Sequence, residues 1–337
     1  MAGQPDFSVI MPVCHGGRFL REALDSLHAM EYDAGAFELL VSGRTGDEEA
    51  RRLTRQLKEV ALFRVEYVPC EATIRSAQLN AAIASAAGRF LAFTDDDCVP
   101  PPRWLRDWRA ELDARPEAGA MGGSDEWPSG GRAFDHALDW VLNSYVGTGG
   151  IRTTAKGIGQ YYPRLWNMAI PRAVALAAAL PGRGDRPQVF NESFDVNEDV
   201  ELVERIARTG KEVAYAPQVR VRHHRDTTLF SFLRRNFGMA QACRRLGLHR
   251  LPHTLLAGGA LAVSALAALS AWPGPWRIAL TACVGAYALV LLGSALAALA
   301  AKRRAEMLFL VPALLAGVHA ARAAGFLAAW RDADQAG

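Results

Sequence analysis

Apolar positions along this chain fall into two regimes. Up to about residue 226, short apolar runs alternate with stretches of helical periodicity. Phe7 to Pro12 is a run of strand length, and Gly16-Gly17 opens a loop into Phe19, Leu20, Ala23, Leu24 and Leu27, which recur at helical spacing. Phe37 to Val41 predicts a second strand, Glu48 to Val60 a charged helix and Phe63 to Val68 a third strand. Ser76 to Ala87 then reads as an Ala-rich helix and Arg89 to Phe93 as a fourth strand. Strands alternating with helices imply an α/β domain whose mainly parallel sheet is covered on both faces. In such sheets ligands collect at the carboxyl ends of the strands.

From Leu251 the pattern changes to long Ala/Leu/Val/Gly runs almost free of acids until Glu306. A membrane span needs roughly 20 apolar residues. Segments 251–272 and 276–301 both meet that length, separated by the turn Pro273-Gly274-Pro275 with Trp272 and Trp276 beside it, as at a membrane interface. Segment 307–330 is a third candidate, with an interfacial helix as the competing reading. His319 and Arg322 fall in its middle, and such groups are costly in lipid unless they face protein or water.

The domain division expected is therefore 1–226 for a soluble catalytic domain, 227–250 for a basic amphipathic juxtamembrane segment and 251–331 for the membrane region. Arg234, Arg235, Arg244, Arg245 and Arg250 precede the first span, while Lys302, Arg303 and Arg304 follow the second. A helical hairpin puts both sets on one side, and the positive-inside tendency makes that side cytoplasmic. The net charge of only +3 leaves local clustering, rather than overall charge, to suggest contact with anionic membrane lipids. Nothing in the charge pattern suggests nucleic acid. No cleavable signal peptide opens the chain, which keeps the expected catalytic part in the cytosol. The cysteines Cys14, Cys70, Cys98, Cys243 and Cys283 have no ligand spacing and fit a reducing compartment.

Chemistry concentrates in FLAFTDDDCVPPPRW, residues 90–104. An apolar strand runs into Asp95, Asp96 and Asp97, and clustered carboxylates gain most when a divalent cation offsets their repulsion. An acidic turn before prolines would carry the same letters. Further on, Glu198-Asp199 heads the helical pattern Val200, Leu202, Val203 and Ile206, where a helix N-terminus favours acids by itself. His223 and His224 follow the alternating Val219 and Val221.

Four ordered passages resemble the inverting family 2 glycosyltransferases with the GT-A nucleotide-sugar-binding fold. They are SVIMPVCHGGRFLREALDSL at residues 8–27, LNAAIASAAGRFLAFTDDDCVPPPRWL at 79–105, LWNMAIPRAVA at 165–175 and FNESFDVNEDVELVERIARTGKEVAYAP at 190–217. The likeness spans roughly residues 7 to 226. It implies that Asp95 contacts the nucleotide ribose, that Asp97, with Asp95 and His223, holds a divalent cation (Mn2+ or Mg2+), and that Asp96 lies between them. It also places Pro12, Ser42, Arg44 and Asn80 on the nucleotide side. Asp199 becomes the general base and Glu198 the residue that orients it or the acceptor. The pattern departs from the family after the second strand, where relatives carry base-contacting acids: Ser42 or Arg44 occupies that region here, and Asp47 comes too late.

The implied reaction moves a sugar from a nucleoside-diphosphate donor to a lipid-linked or surface-glycan acceptor at the bacterial cytoplasmic membrane. The layout and the closing segment from His319 look similar to exopolysaccharide glycosyltransferases of the succinoglycan-synthesis type. Gly122 to Gly159 is expected to be a mobile acceptor loop, and Trp127, Trp140 and Trp166 are either core residues or stacking surfaces. A nucleotidyltransferase would share the layout but needs a Gly-rich basic loop, of which His15-Gly16-Gly17-Arg18 is a faint version. A non-catalytic, membrane-tethered binding protein is the remaining alternative.

Overall fold

The computed structural model describes residues 3–13, 18–126, 131–149, 161–182, 188–194, 196–224, 227–245, 247 and 250–333. The first half alternates as its periodicity predicts: β1 (Phe7–Pro12), α1 (Leu20–His28), β2 (Phe37–Arg44), α2 (Glu48–Val60), β3 (Arg64–Cys70), α3 (Arg75–Ser85) and β4 (Phe90–Phe93). The two-residue β5 (Cys98–Val99), α4 (Trp104–Ala114) and β6 (Ala118–Glu126) follow, then α5 (Ala133–Asn143) and α6 (Tyr145–Thr148). The chain continues through β7 (Met168–Pro171), α7 (Arg172–Ala177), α8 (Glu198–Arg208) and β8 (Glu212–His223). Helices α9 (Leu229–Arg245), α10 (Arg250–Leu269), α11 (Trp276–Lys302) and α12 (Met307–Ala333) complete it. His15 to Gly17, Cys14 and Trp127 lie outside the described residues.

Contacts divide the chain into two compact units, 1–128 with 161–225 and 129–160 with 226–337. The first holds an eight-stranded sheet in the order β3-β2-β1-β4-β7-β6-β8-β5. Strands β3, β2, β1 and β4 are mutually parallel, whereas β7 runs antiparallel to both neighbours and β5 antiparallel to β8. The sheet is thus mixed. β1 is buried along its whole length, which is why it reads as an unbroken apolar run. Helix α2 instead buries only Ala50, Leu53, Thr54 and Leu57, one stripe of an otherwise charged helix. Asp47 caps this helix by accepting the Ala50 N–H at 3.0 Å, so its place in the sequence serves the helix start.

At the strands' N-terminal edge, buried Glu38 accepts hydrogen bonds from Ser8 Oγ and the Ala87 N–H, both at 2.6 Å, and pairs with Arg64. Gly88 approaches β1 so closely that a Cβ there would lie 2.3 Å from the Ser8 nitrogen.

The second unit is helical. Of residues 122–159, expected to be a loop without pattern, the described ones complete β6 through Glu126 and form α5 and α6, while 127–130 and 150–159 lie outside the described residues. The physical reason is a short amphipathic face: Ala137, Leu138 and Val141 are buried on α5, and Asp135 closes a capping box on the Arg132 N–H at 2.9 Å. Ser144 caps α6 by accepting the Gly147 N–H at 2.9 Å.

Among the described residues, two helices are long and apolar enough to cross a membrane, 276–302 and 307–329, and α10 carries a further apolar stretch, Thr254–Leu269. The obstacle in α12 was its polar pair, and the protein itself satisfies both groups. His319 bonds the Val146 carbonyl through Nε2 and the Tyr287 hydroxyl through Nδ1, each at 2.9 Å. Arg322 donates to Asn236 Oδ1 at 3.0 Å and to the Gly147 carbonyl at 2.6 Å. Where α9 crosses α12, a Cβ on Gly325 would lie 2.2 Å from the Phe237 carbonyl oxygen, so the two backbones meet without an intervening side chain.

Candidate functional site

Parallel pairing fixes which residues share the C-terminal edge. Pro12 ends β1 opposite Ser42, and Phe93, just before the acids, pairs with Ile10. Pro12, Ser42 and Asp95 therefore stand side by side at the ends of β1, β2 and β4. Ser42 is fully buried and its hydroxyl has no hydrogen-bond partner among the described residues. Arg44, two residues further along β2, is exposed. Asn80, expected on the nucleotide side, has a different engagement: its amide bonds the Phe190 N–H and carbonyl, both at 2.8 Å, and the Glu192 carboxylate at 2.9 Å. It ties α3 to the segment leading into α8.

Asp95, Asp96 and Asp97 are all buried, unlike the solvated acids of an ordinary turn. The polypeptide then pairs as β5 with the end of β8, Cys98 opposite His223. β8 alternates strictly at this end, with Val219, Val221 and His223 inward and Arg220 and Arg222 outward, so its period of two aims His223 at the acids. His223 Nε2 lies 3.3 Å from Asp97 Oδ1. Donor atoms of Asp97, Cys98 and His223 fall within 4.8 Å of one another, which brings in a cysteine that its sequence spacing had left aside. His224 points elsewhere, stacked on Phe19 with ring centroids 4.8 Å apart and bonded to Glu22 at 2.8 Å.

Helix α8 supplies the second pair of acids. Its N-cap, Asn197, is held in the left-handed region at φ 66°, a conformation uncommon outside glycine and often found at functional sites. The following Glu198 and Asp199 are buried in the first turn. Arg75, at the start of α3, links the two groups of acids: it hydrogen bonds Asp95, and its Nε lies 3.6 Å from Glu198 Oε1. Burial pushes the Glu198 carboxyl up to about 7 against the opposing pull of Arg75, with the neighbouring Asp199 charge adding to the rise. Burial likewise raises Asp95, again opposed by Arg75, with the Asp97 charge adding to the rise.

Asp199 is engaged by Arg164, whose Nη1 lies 3.1 and 3.2 Å from its two carboxylate oxygens. Trp166 packs its ring 5.2 Å from that of His223, whereas Trp140 sits half-buried on α5. Between these elements Asn167 is a hub that sequence reading left unassigned. It accepts from Trp104 Nε1 at 2.9 Å and donates to the carbonyls of Ser124 and Val219 at 2.8 and 2.9 Å. Arg75 and Arg164 were also missed, because single basic residues outside a motif carry no positional signal.

A family model described as glycosyltransferase-like family 2 matches residues 5–241. The chain belongs to this family. Among solved structures, this glycosyltransferase is similar to the mannosyltransferase PcManGT from Pyrobaculum calidifontis, in complex with GDP-Man and Mn2+. That match has a TM-score of 0.64 and 18% identity, over 95% of this chain and 87% of the other. It has the GT-A fold in its first unit. It is also 27% identical over 139 residues to glycosyltransferase AglE of Haloferax volcanii, a match spanning 39% of this chain and 43% of that protein. S. aureus TarS in complex with UDP-GlcNAc aligns with a TM-score of 0.47 and 16% identity, over 70% of this chain and 65% of TarS 1–349.

Proposed function

We propose that this protein is a membrane-anchored, inverting glycosyltransferase that uses a nucleoside-diphosphate sugar and a divalent cation. The observation that carries the reading is the convergence of Asp95 and Asp97, from the turn between β4 and β5, with His223 at the end of β8, and the link through Arg75 to Glu198, the neighbour of Asp199 on α8. The donor set fits Mn2+ or Mg2+: carboxylate oxygens and an imidazole, all buried. Asp97 and His223, with Asp95, would hold the cation, which when bound supplies the charge that stabilises a departing diphosphate.

The chain's own residues supply the rest. Pro12, Ser42 and Arg44 line the nucleotide side, and the orphaned Ser42 hydroxyl is suited to hydrogen bond the base or ribose in place of the acids that relatives use. Asp96 is the buried acid between the two that face donor and cation. Asp199 takes the proton from the acceptor hydroxyl as that oxygen bonds to the anomeric carbon and the bond from that carbon to the nucleotide's diphosphate oxygen breaks, with inversion. Its carboxylate becomes available once the hydroxyl displaces the Arg164 contact. Glu198, raised towards neutrality, can both give and accept a hydrogen bond and so orient the acceptor.

The exposed apolar surfaces of α10 and α11, including Leu255, Ile278, Leu289 and Leu292, support a bilayer location. With them the proposal extends to residues 1–226 as the catalytic domain on the cytoplasmic side, 227–250 as the basic approach to the bilayer, and a lipid-linked or surface-glycan acceptor of the exopolysaccharide type. The experiment is a nucleotide-sugar screen with the detergent-solubilised full chain, starting from GDP-mannose and UDP-GlcNAc, with Mn2+, Mg2+ or chelator. Metal-dependent release of a nucleoside diphosphate is expected. Binding of donors without any turnover across the panel, with acceptor lipids supplied, would overturn the reading.

A further inference from the structure

His223 is held from three directions, and only one of them belongs to the acids of the sequence motif. Asp97 Oδ1 faces Nε2 at 3.3 Å, Trp166 covers the ring with centroids 5.2 Å apart, and on the far side Asp125 Oδ2 lies 3.7 Å from Nδ1. Asp125 comes from β6, which flanks β8 on the side away from β5, with Asp125 opposite Val221 in the register. The imidazole thus has a carboxylate at each nitrogen, Asp125 from β6 and Asp97 from the turn that leads into β5. Both His223 and Asp125 have little solvent access, with side-chain exposures of 10% and 14%.

We propose that Asp125 is the positioning residue for His223: it holds the Nδ1–H and so presents the Nε2 lone pair to the cation. The inference rests on the reading of His223 as a ligand and adds a residue that the Asp-x-Asp and Glu-Asp motifs do not contain. A neutral imidazole carries one proton, and the nitrogen that keeps it is decided by the partner at that nitrogen. Two buried carboxylates compete here. Asp97 is repelled by neighbouring acids that a cation would neutralise, so its role is to ligate, whereas Asp125 faces the opposite ring nitrogen from another strand. A carboxylate behind a metal-binding histidine raises ligand basicity and fixes ring orientation, and losing it costs roughly 10–100-fold in metal affinity.

The test uses the full-length protein in detergent, labelled with 15N-histidine, with Mn2+ as the probe. The His223 tautomer is read from long-range 15N–1H correlations in the protein loaded with diamagnetic Mg2+, and Mn2+ affinity from the electron paramagnetic resonance of the free ion with and without GDP or UDP. Wild type is expected to be Nδ1-protonated. Asp125→Ala should lose that preference and bind Mn2+ roughly 10–100-fold more weakly, with Asp125→Asn, which keeps the shape but not the charge, falling between the two. Wild-type tautomer and affinity in both variants, while His223→Ala loses Mn2+, would overturn the role of Asp125 alone. Unchanged Mn2+ affinity in His223→Ala would overturn the ligand reading and this inference with it. Melting curves of each variant separate either outcome from loss of the fold, which a merely structural Asp125 would show without a tautomer change in the folded fraction.

Discussion

Arg164 contacts both carboxylate oxygens of Asp199 from a single nitrogen, at 3.1 and 3.2 Å. In this structure the proposed base is therefore engaged by a guanidinium, and its proposed role requires that this contact yield.

Replacing Asp199 by Asn keeps the shape and most of the hydrogen bonding but removes the proton acceptor. Donor binding should persist while transfer falls by roughly two to four orders of magnitude. Donor titration and transfer to acceptor, measured on the same preparation, check both halves. Transfer at close to the parent rate would move the base elsewhere, and loss of donor affinity would make Asp199 part of the donor site or of the helix start.

Asp97→Ala should abolish metal-dependent nucleotide binding in a folded protein. Asp97 is buried rather than exposed, but it sits beside other buried acids, so its removal relieves repulsion as well as deleting contacts. Calorimetric titration with GDP and UDP, with and without Mn2+, reads the effect. A folded variant whose nucleotide affinity still rises with Mn2+ would contradict the assignment.

Asn167→Ala should destabilise the first unit by several kcal/mol, because Trp104 Nε1 and the carbonyls of Ser124 and Val219 lose their partner and each orphaned group costs about 1–3 kcal/mol. Denaturant unfolding followed by tryptophan fluorescence measures the loss. A shift of less than about 1 kcal/mol would mean that water replaces the amide without strain.

The membrane proposal predicts that a reporter fused after Arg304 is cytoplasmic and one fused after Pro275 lies on the opposite side of the bilayer. Fusion activity in the two compartments checks this. The reverse pattern would place the basic clusters, and with them the first unit, outside the cytoplasm.

Much of the first unit is legible because its signals are local. Alternation and helical spacing give β1 to β4 and α1 to α3 to within a few residues, and the acids at the exit of β4 advertise themselves. Asp125 and Arg164 are not legible, because what matters is the strand or turn that brings them to His223 and Asp199, and register across a mixed sheet cannot be read from a single segment. Helix α5 was missed for another reason: a short buried face flanked by Trp127-Pro128 and a glycine-rich stretch gives too little period to outweigh its loop-like ends. The partners of the polar pair in α12 were not legible either, since His319 and Arg322 find them in Val146, Gly147, Tyr287 and Asn236, all distant along the chain.

Cys98 pairs with His223 across β5 and β8, which means that Asp97 and its imidazole partner are clamped by backbone register although a long stretch of chain separates them. Insertions or deletions in the loops between them are absorbed before the ladder closes, so the distance between the two side chains is insulated from them. Gly210, between α8 and β8, is exposed with open space around it, so a short insertion there should leave nucleotide and metal binding unchanged, a tolerance that donor titration would check.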